Sequence, residues 1–465
     1  MKNYKHEGES LPFLSTQKPV VLTPSWDGRR FSNDEPNNKG MTITKATQFL
    51  KPPIDKWKIV FFIFIIHGLG TLTPWNMFIT AKSYFVDYKL STHNGTNTTH
   101  TVYASNFMQY ISFASQIPNL IFNWLNVFVN LGGDLTKRIV YSILVEIVLF
   151  IITVVLAMLD TASWPGTFFY ITMITVIILN MANGIYQNTI YGMVATLPIK
   201  YTGAVVLGSN ISGLFATIMQ ICSSYMFSSL KTGAIYYFIT AMLVLLVCFD
   251  TYFALPLNKF YRYYESLREK DANKKSNVSV GKIPYWTVFK LAGPQLFNIF
   301  FTFFVTLSVF PAIHSDIRLV NTDFFIPSEL FTSITCFLTF NLFAMLGSLC
   351  TSWVKWPSSK YLVVPVVLRA VFLPLFVFCN YLPKGVVRVL PVFITNEWIY
   401  WFIAITMSFS SGYLSSLGMM YAPQTVPSKY QLTAGMFAAA MLITGIFTGV
   451  LFSFVFPVLV ANLSF

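Results

Sequence analysis

From Trp57 onward the chain is a succession of apolar runs, each close to the roughly 20 residues that cross a hydrocarbon core as an α-helix. No other feature restricts the fold so strongly. In lipid every backbone N–H and C=O must find its partner within the protein, which leaves helices and closed β-barrels. A barrel shows itself by alternation over about ten residues. Here the runs are continuous, as in IVFFIFIIHGLG from Ile59 and AMLVLLVCF from Ala241, so the spans are helical. Charged residues make up 11% of the chain, against about a quarter in soluble domains. Eleven spans are expected, at 57–84, 103–130, 137–159, 167–192, 203–228, 233–255, 287–312, 325–352, 361–382, 394–420 and 431–460. The fold class is an all-α polytopic membrane protein.

A net charge of +13 suits either nucleic acid or a membrane surface, and its distribution decides for the membrane. Ten Lys and Arg lie in the first 58 residues, and a second cluster runs from Lys259 to Lys282. Cytoplasmic loops carry such an excess. The N-terminus is therefore expected in the cytosol, together with the LTKR turn at 135–138 and the 256–286 segment. The loop after the first span holds two sequons, at Asn94 and Asn97, on the expected outer side. A third, at Asn277, falls on the cytosolic side and is expected to be unused. Eleven spans leave the C-terminus outside. The expected domains are a disordered cytosolic N-terminus at 1–56, a six-helix bundle at 57–255, a basic cytosolic loop at 256–286 and a five-helix bundle at 287–465. No cleavable signal peptide is visible. All five cysteines fall within apolar runs without metal-ligand spacing. No metal, cofactor or nucleic-acid partner is expected; the partners are the lipid bilayer and a small molecule. No phosphate-cradling glycine loop or nucleophile–base motif marks an enzyme.

Polar residues inside spans are costly and face a bundle interior or a cavity. In the second span Gln109, Ser112, Gln116, Asn119, Asn123 and Asn126 share one helix face. The fourth repeats the pattern with Asn180, Asn183 and Gln187, and the fifth with Asn210, Gly213, Thr217 and Gln220. Amides both donate and accept hydrogen bonds, which suits an uncharged, hydrogen-bonding solute. Single amides of this kind also serve as interhelical glue; three striped helices in one half point to a polar cavity. The first span adds GLGTLTPWNMFITAKSYF (68–85), where Leu72, Trp75, Asn76 and Ile79 share a face. Pro74 cannot donate to the carbonyl of Gly70, so the helix is expected to loosen there and let its backbone approach a solute. Trp75 offers a flat ring for stacking. Intramembrane charge is scarce: Glu146, Arg369 and, near a span end, Asp250. Without carboxylates along a path, downhill movement is expected rather than ion coupling.

These residues resemble the equilibrative nucleoside transporters. The first-span stretch just quoted resembles that family's signature, and further matches follow in order. They are LNKFYRYYESL after the sixth span, VFPAI at 309–313, FFIPSELFTSITCFLTFNLFAMLGS, LRAVFLPLFVFCN, FSSGYLSSLGMMYAPQTVP and TAGMFAAAMLITGIFTGVLFSFVF, which contains Gly435. The resemblance implies a major-facilitator-like bundle of six plus five helices. It implies sodium-independent, bidirectional movement of nucleosides, sometimes nucleobases, by alternating access. It places Leu72, Trp75, Gln187, Phe310 and Asn341 at the solute, beside Ile79 from the first-span face and Gln116, Asn119 and Asn183 from the stripes. It leaves Gly70, Pro74, Arg369 and Gly435 to structure or gating. The chain departs from the family where an aspartate and an arginine commonly stand four residues apart: it has Ala344 and Ser348. Ser411 replaces an asparagine, and Gln116 and Asn119 are polar where apolar residues are expected. Contacts to the sugar then fall to spans 2 and 4, or the solute is not a standard nucleoside. The rival readings are a carrier of another solute, such as an organic cation, and a sensor that binds without transport. The expected location is the plasma membrane, with a lysosomal or other endomembrane as the alternative.

Overall fold

The computed structural model describes residues 52–82, 84–94, 97–100, 102–105, 107–129, 134–277, 283–321, 324–383 and 386–463. Each expected apolar run is helical. In the first half these are α1 (Ile59–Thr80), α2 (Phe107–Phe128), α3 (Leu135–Met158), α4 (Pro165–Val194), α5 (Lys200–Met226) and α6 (Leu230–Ala254). Between α1 and α2 lies a short antiparallel hairpin, β1 (Ser91–Asn94) with β2 (Asn97–His100), in which Asn94 opposes Asn97. The side chains of these two sequon asparagines and of Gln109, and the N-terminal segment through Lys51, lie outside the described residues. Helix α7 (Lys259–Asn277) then leads into the second half. There α8 (Tyr285–Val309) is followed by a π-turn at Ser333–Leu338 running into α9 (Thr339–Cys350). Next, α10 (Val363–Leu368) passes through a 3-10 turn at Arg369–Val371 into α11 (Phe372–Phe378). The last elements are α12 (Glu397–Tyr421), α13 (Gln431–Ser453) and α14 (Val455–Asn462).

Among the described residues eight helices are long and apolar enough to cross a bilayer, and Val363–Phe378 is a shorter apolar helix. Helices α2 and α12 stand where the other two spans are expected but are not among those eight. Both carry many polar side chains: α2 has Gln116, Asn119, Asn123 and Asn126, and α12 has Ser408, Ser410, Ser411, Ser415 and Ser416. The 256–286 segment differs from expectation. Much of it is helix rather than loop, because Phe260, Tyr261 and Tyr264 recur on one face that packs on the bundle.

The two halves use the same pairings. In the first, α1 lies along α5 and α2 along α4; in the second, α8 lies along α13 and α9 along α12. Glycines set these approaches, as they do between helices in lipid, where small residues replace the hydrophobic drive. A Cβ on Gly68 would strike the carbonyl of Val205, and one on Gly208 the carbonyl of Ile65, so α1 and α5 touch backbone to backbone. Likewise Gly412 lies on the carbonyl of Ala344. Across the seam the exchange is reciprocal: α13 meets α2 and α4, while α5 meets α9 and α12.

Candidate functional site

Helix α1 runs unbroken through the buried Pro74, so the expected loosening is not observed. The hydroxyls of Thr71 and Thr73 donate to the carbonyls of Gly68 and Leu69 at 2.8 and 2.7 Å, adding bonds to the turn just upstream. The glycines serve packing. Gly68 abuts α5, and a Cβ on Gly70 would press on Cys248 Sγ and lie 3.3 Å from the Tyr186 hydroxyl. That hydroxyl is 2.7 Å from His67 Nδ1, which makes His67 part of the same buried packing unit. The face carrying Leu72, Trp75, Asn76 and Ile79 stays half-buried. Asn76 spends its amide on α5, donating to the Ser212 hydroxyl at 3.1 Å, so Leu72, Trp75 and Ile79 are the residues of this face left without a hydrogen bond to it.

The amides separate into bonded and unbonded groups. Asn123 donates to Asn119 Oδ1 at 2.7 Å, and Asn126 donates to Asn188 Oδ1 at 2.9 Å while accepting from Arg138 at 3.1 Å. These are glue. In contrast Asn183 is fully buried with neither side-chain atom bonded, and Gln116 and Gln187 each keep an unbonded Oε1. Buried polar groups almost always find a partner, so four amides with an unbonded atom on α2 and α4, Gln116, Asn123, Asn183 and Gln187, mark a place where hydrogen-bonding capacity is held open. Gly184 brings the two helices together there, since its Cβ would lie 2.9 Å from the Asn119 carbonyl.

In the second half Phe310 stacks on Phe340 with centroids 3.7 Å apart, and Phe337 meets it edge-on. Asn341 follows on the same helix, half-buried, with Nδ2 at 3.5 Å from Thr217 Oγ1 and its oxygen over Gly213 of α5. The Arg369 guanidinium is buried. It donates to the Met407 carbonyl at 3.1 Å, to Ser410 at 2.5 Å and to Thr306 at 2.7 Å. Thr306 in turn bonds Ser411 at 2.9 Å. Arg369 thus ties α8 to α12 one turn before Phe310. No described contact joins Trp75 or Phe310 to the unbonded amides; the sequence-picked residues form a first-half group and a second-half group on either side of the seam.

The seam is sealed at the end where α1 begins. There Asn188 Nδ2 donates to the Met436 carbonyl at 2.8 Å, Gly192 lies beneath Met436, and Gly435 sits against the Tyr191 carbonyl and Ala195. Midway, Trp124 Nε1 donates to Thr444 at 2.9 Å and Asn210 Nδ2 to Ser348 at 2.6 Å. Toward the other end α1, which carries Trp75, and α8, which ends at Phe310, share no extensive contact. Sequence reasoning placed Asn210 in a stripe and marked Ser348 as a departure, but missed that they bond to each other across the halves. Ala344 is buried against Gly412, so its small size serves helix packing.

A model of the nucleoside transporter family matches residues 173–458, more than half of the chain. The chain is 31% identical over 455 residues to equilibrative nucleoside transporter 1 of Homo sapiens, covering 88% of this chain and 99% of the relative. It is 31% identical over 455 residues to equilibrative nucleoside transporter 2 of Homo sapiens, covering 88% and 98%. To equilibrative nucleoside transporter 3 of Rattus norvegicus it is 28% identical over 435 residues, covering 88% and 90%. Among solved structures, the major facilitator superfamily proton:xylose symporter XylE aligns with a TM-score of 0.57 at 10% identity, over 87% of this chain and 90% of the other. The human organic anion transporter MFSD10 aligns at 0.51 and 12% identity, over 87% and 93%. At these identities the likeness is one of fold: a major-facilitator-type, multi-pass membrane bundle.

Proposed function

This chain belongs to the nucleoside transporter family, and on that premise we propose that it moves nucleosides down their gradient, in either direction and without sodium, by alternating access. The observation that carries this reading is the asymmetric seam. Two halves are held together at one end, by the Asn188 bond to the Met436 carbonyl and the close approach of Gly435 to Tyr191, while α1, which bears Trp75, and α8, which ends at Phe310, share no extensive contact at the other. A carrier alternates between such a state and its converse. Trp75, with Leu72 and Ile79, forms one wall of the solute path, and Phe310 and Asn341 form the facing wall. Gln116, Asn119, Asn183 and Gln187 supply directional hydrogen bonds, with the unbonded atoms of Gln116, Asn183 and Gln187 awaiting a solute. Pro74, Gly70 and Arg369 hold the walls in place, and Gly435 permits the closed end to seal. The closed end faces the cytosol, a reading that the Lys- and Arg-rich segments at that end support. The hairpin with Asn94 and Asn97 faces outward, the C-terminus lies outside, and the protein works in the plasma membrane.

Sodium-free uptake of labelled uridine and adenosine in transport-null cells tests the proposal. Uptake that unlabelled nucleosides compete away is expected. Binding without flux, or flux that nucleosides fail to compete, would overturn it.

A further inference from the structure

Beyond α8 the chain passes Phe310 and makes a 3-10 turn at His314–Asp316, which packs on the π-turn Ser333–Leu338. His314 is 1% exposed, yet neither ring nitrogen has a hydrogen-bond partner among the described residues. Buried polar groups almost always have one, and the buried His67 has the Tyr186 hydroxyl. The His314 ring instead meets three aromatic rings at steep angles: Phe376 at 5.0 Å, Tyr400 at 5.6 Å and Phe310 at 6.1 Å between centroids. The nearby backbone acceptor is the carbonyl of Thr335, inside the π-turn. That turn also carries Phe337, which meets Phe310 edge-on, and leads into Phe340, on which Phe310 stacks. His314 therefore stands directly behind the Phe310 wall. Single π-turns of this kind recur at functional sites.

The charged groups around this cage are already engaged. Asp316 pairs with Arg318 at 3.9 Å. Glu397, at the start of α12, accepts the N–H groups of Val320 and Asn321 at 3.1 and 2.6 Å. Arg388 donates to the carbonyls of Val377, Cys379, Tyr381, Leu390 and Pro391. The other titratable side chains on the surrounding elements are Cys336, Cys379, Tyr381 and Tyr400, all buried. Thiols and phenols titrate above about pH 8 in water. Among the described residues here, His314 is thus the group whose ordinary pKa, about 6.5, falls in the physiological range.

We infer that His314 is a regulatory proton-binding site of the outer wall: the neutral ring fits the packed cage, while the protonated ring favours a loosened arrangement in which Phe310 leaves Phe340 and the imidazolium donates to the Thr335 carbonyl and to water. A charge in an apolar cage is costly, and a ligand, here a proton, shifts an equilibrium by its differential affinity for the two arrangements. With the ordinary pKa of about 6.5 in the loosened arrangement and a neutral ring in the packed one, the loosened-to-packed ratio is multiplied by about 11 at pH 5.5 and by about 1.1 at pH 7.5. The switch is therefore about tenfold across that window. Because Phe310 and Asn341 line the proposed solute path, acid on the outer side weakens solute binding there. Only this consequence rests on the transport reading; the rearrangement does not.

The rearrangement is measured first, by amide hydrogen exchange over residues 333–340 in full-length protein in nanodiscs at pH 7.5 and 5.5. Wild type is compared with His314→Gln and His314→Phe at each pH, so the intrinsic pH dependence of exchange cancels in the ratio. The ratio of wild-type to variant exchange should rise about tenfold from pH 7.5 to 5.5. His314→Phe fills the cage with a ring and leaves no unpaired nitrogen, which keeps the test open if His314→Gln does not fold. Uridine affinity from the outer face of proteoliposomes is then read over the same pH range, and it should weaken by up to about tenfold in wild type and stay level in both variants. Exchange that responds as expected while no nucleoside binds supports the proton site and contradicts the transport reading alone. The inference is overturned if the exchange ratio is independent of pH for the folded variants.

Discussion

Gly435→Ala is expected to pry open the sealed end. The added Cβ would lie 2.5 Å from the Tyr191 carbonyl oxygen, 2.5 Å from Ala195 Cβ and 3.2 Å from Gly192 Cα. None of these is the far end of a flexible side chain, so α4 and α13 must separate. Overpacking of this kind costs about 1–3 kcal/mol, which is roughly a 5- to 150-fold change in an equilibrium constant. The strain exists only where α13 meets α4 and is relieved when this end opens, so the change falls on the ratio of the two states. The assay uses Met436→Cys, which places a thiol at a side chain that is 3% exposed in the seam, with Cys222 and Cys350 replaced by alanine. Labelling by a thiol reagent from the α1-start side follows the population in which this end is open. Its rate should rise by the same 5- to 150-fold factor when Gly435→Ala is added. Gly293→Ala is the control: nothing lies within 4 Å of its Cβ, so labelling should not change. An unchanged rate in Gly435→Ala protein of normal abundance would refute the reasoning.

Replacing Asn94 and Asn97 together with Gln should abolish the mobility shift on enzymatic deglycosylation; a shift that persists contradicts the proposed orientation. Lys89 caps the end of α3 through the carbonyls of Leu156 and Leu159, at 3.2 and 2.7 Å. Burial, and then Lys231, lower its pKa from 10.5 to about 8. Between those values the unfolded chain binds more protons than the folded one, so this group's contribution to stability rises with pH through that window. In thermal melts Lys89→Met should lose that rise; an identical pH profile argues against it. Glu146 is buried on α3, which packs on α4 and α6, away from the seam. Glu146→Gln should leave any pH dependence of flux intact, and a proton gradient that drives uphill accumulation would refute the uncoupled mechanism.

The helical spans were legible because bilayer thickness imposes both length and apolarity on the sequence. Helix α7 was not, because its many charges read as a loop and its buried face depends on Tyr201 and Met193, which belong to other elements. The amide stripes on α2, α4 and α5 were legible as faces. Which atoms stay unbonded was not, since Asn123 spends its amide on Asn119 while Asn183 spends none. Gly68 and Gly70 signalled close approach correctly. The identity of the approaching group was misread, since Val205 and Cys248 come from distant spans. Asn210 and Ser348 show the same limit: each is visible as an unusual residue, and only the seam makes them partners.

The claim that the α1 face and the unbonded amides form the solute path is tested most directly by uridine counterflow in proteoliposomes, with Gln187→Ala and Trp75→Phe beside wild type. Removing a neutral hydrogen bond of about 0.5–1.5 kcal/mol predicts a loss of affinity of up to roughly tenfold for Gln187→Ala. Trp75→Phe, which keeps a ring, should retain partial counterflow. Wild-type uridine affinity in both variants, at equal incorporation, would contradict the account and leave this stretch of α1 a packing motif.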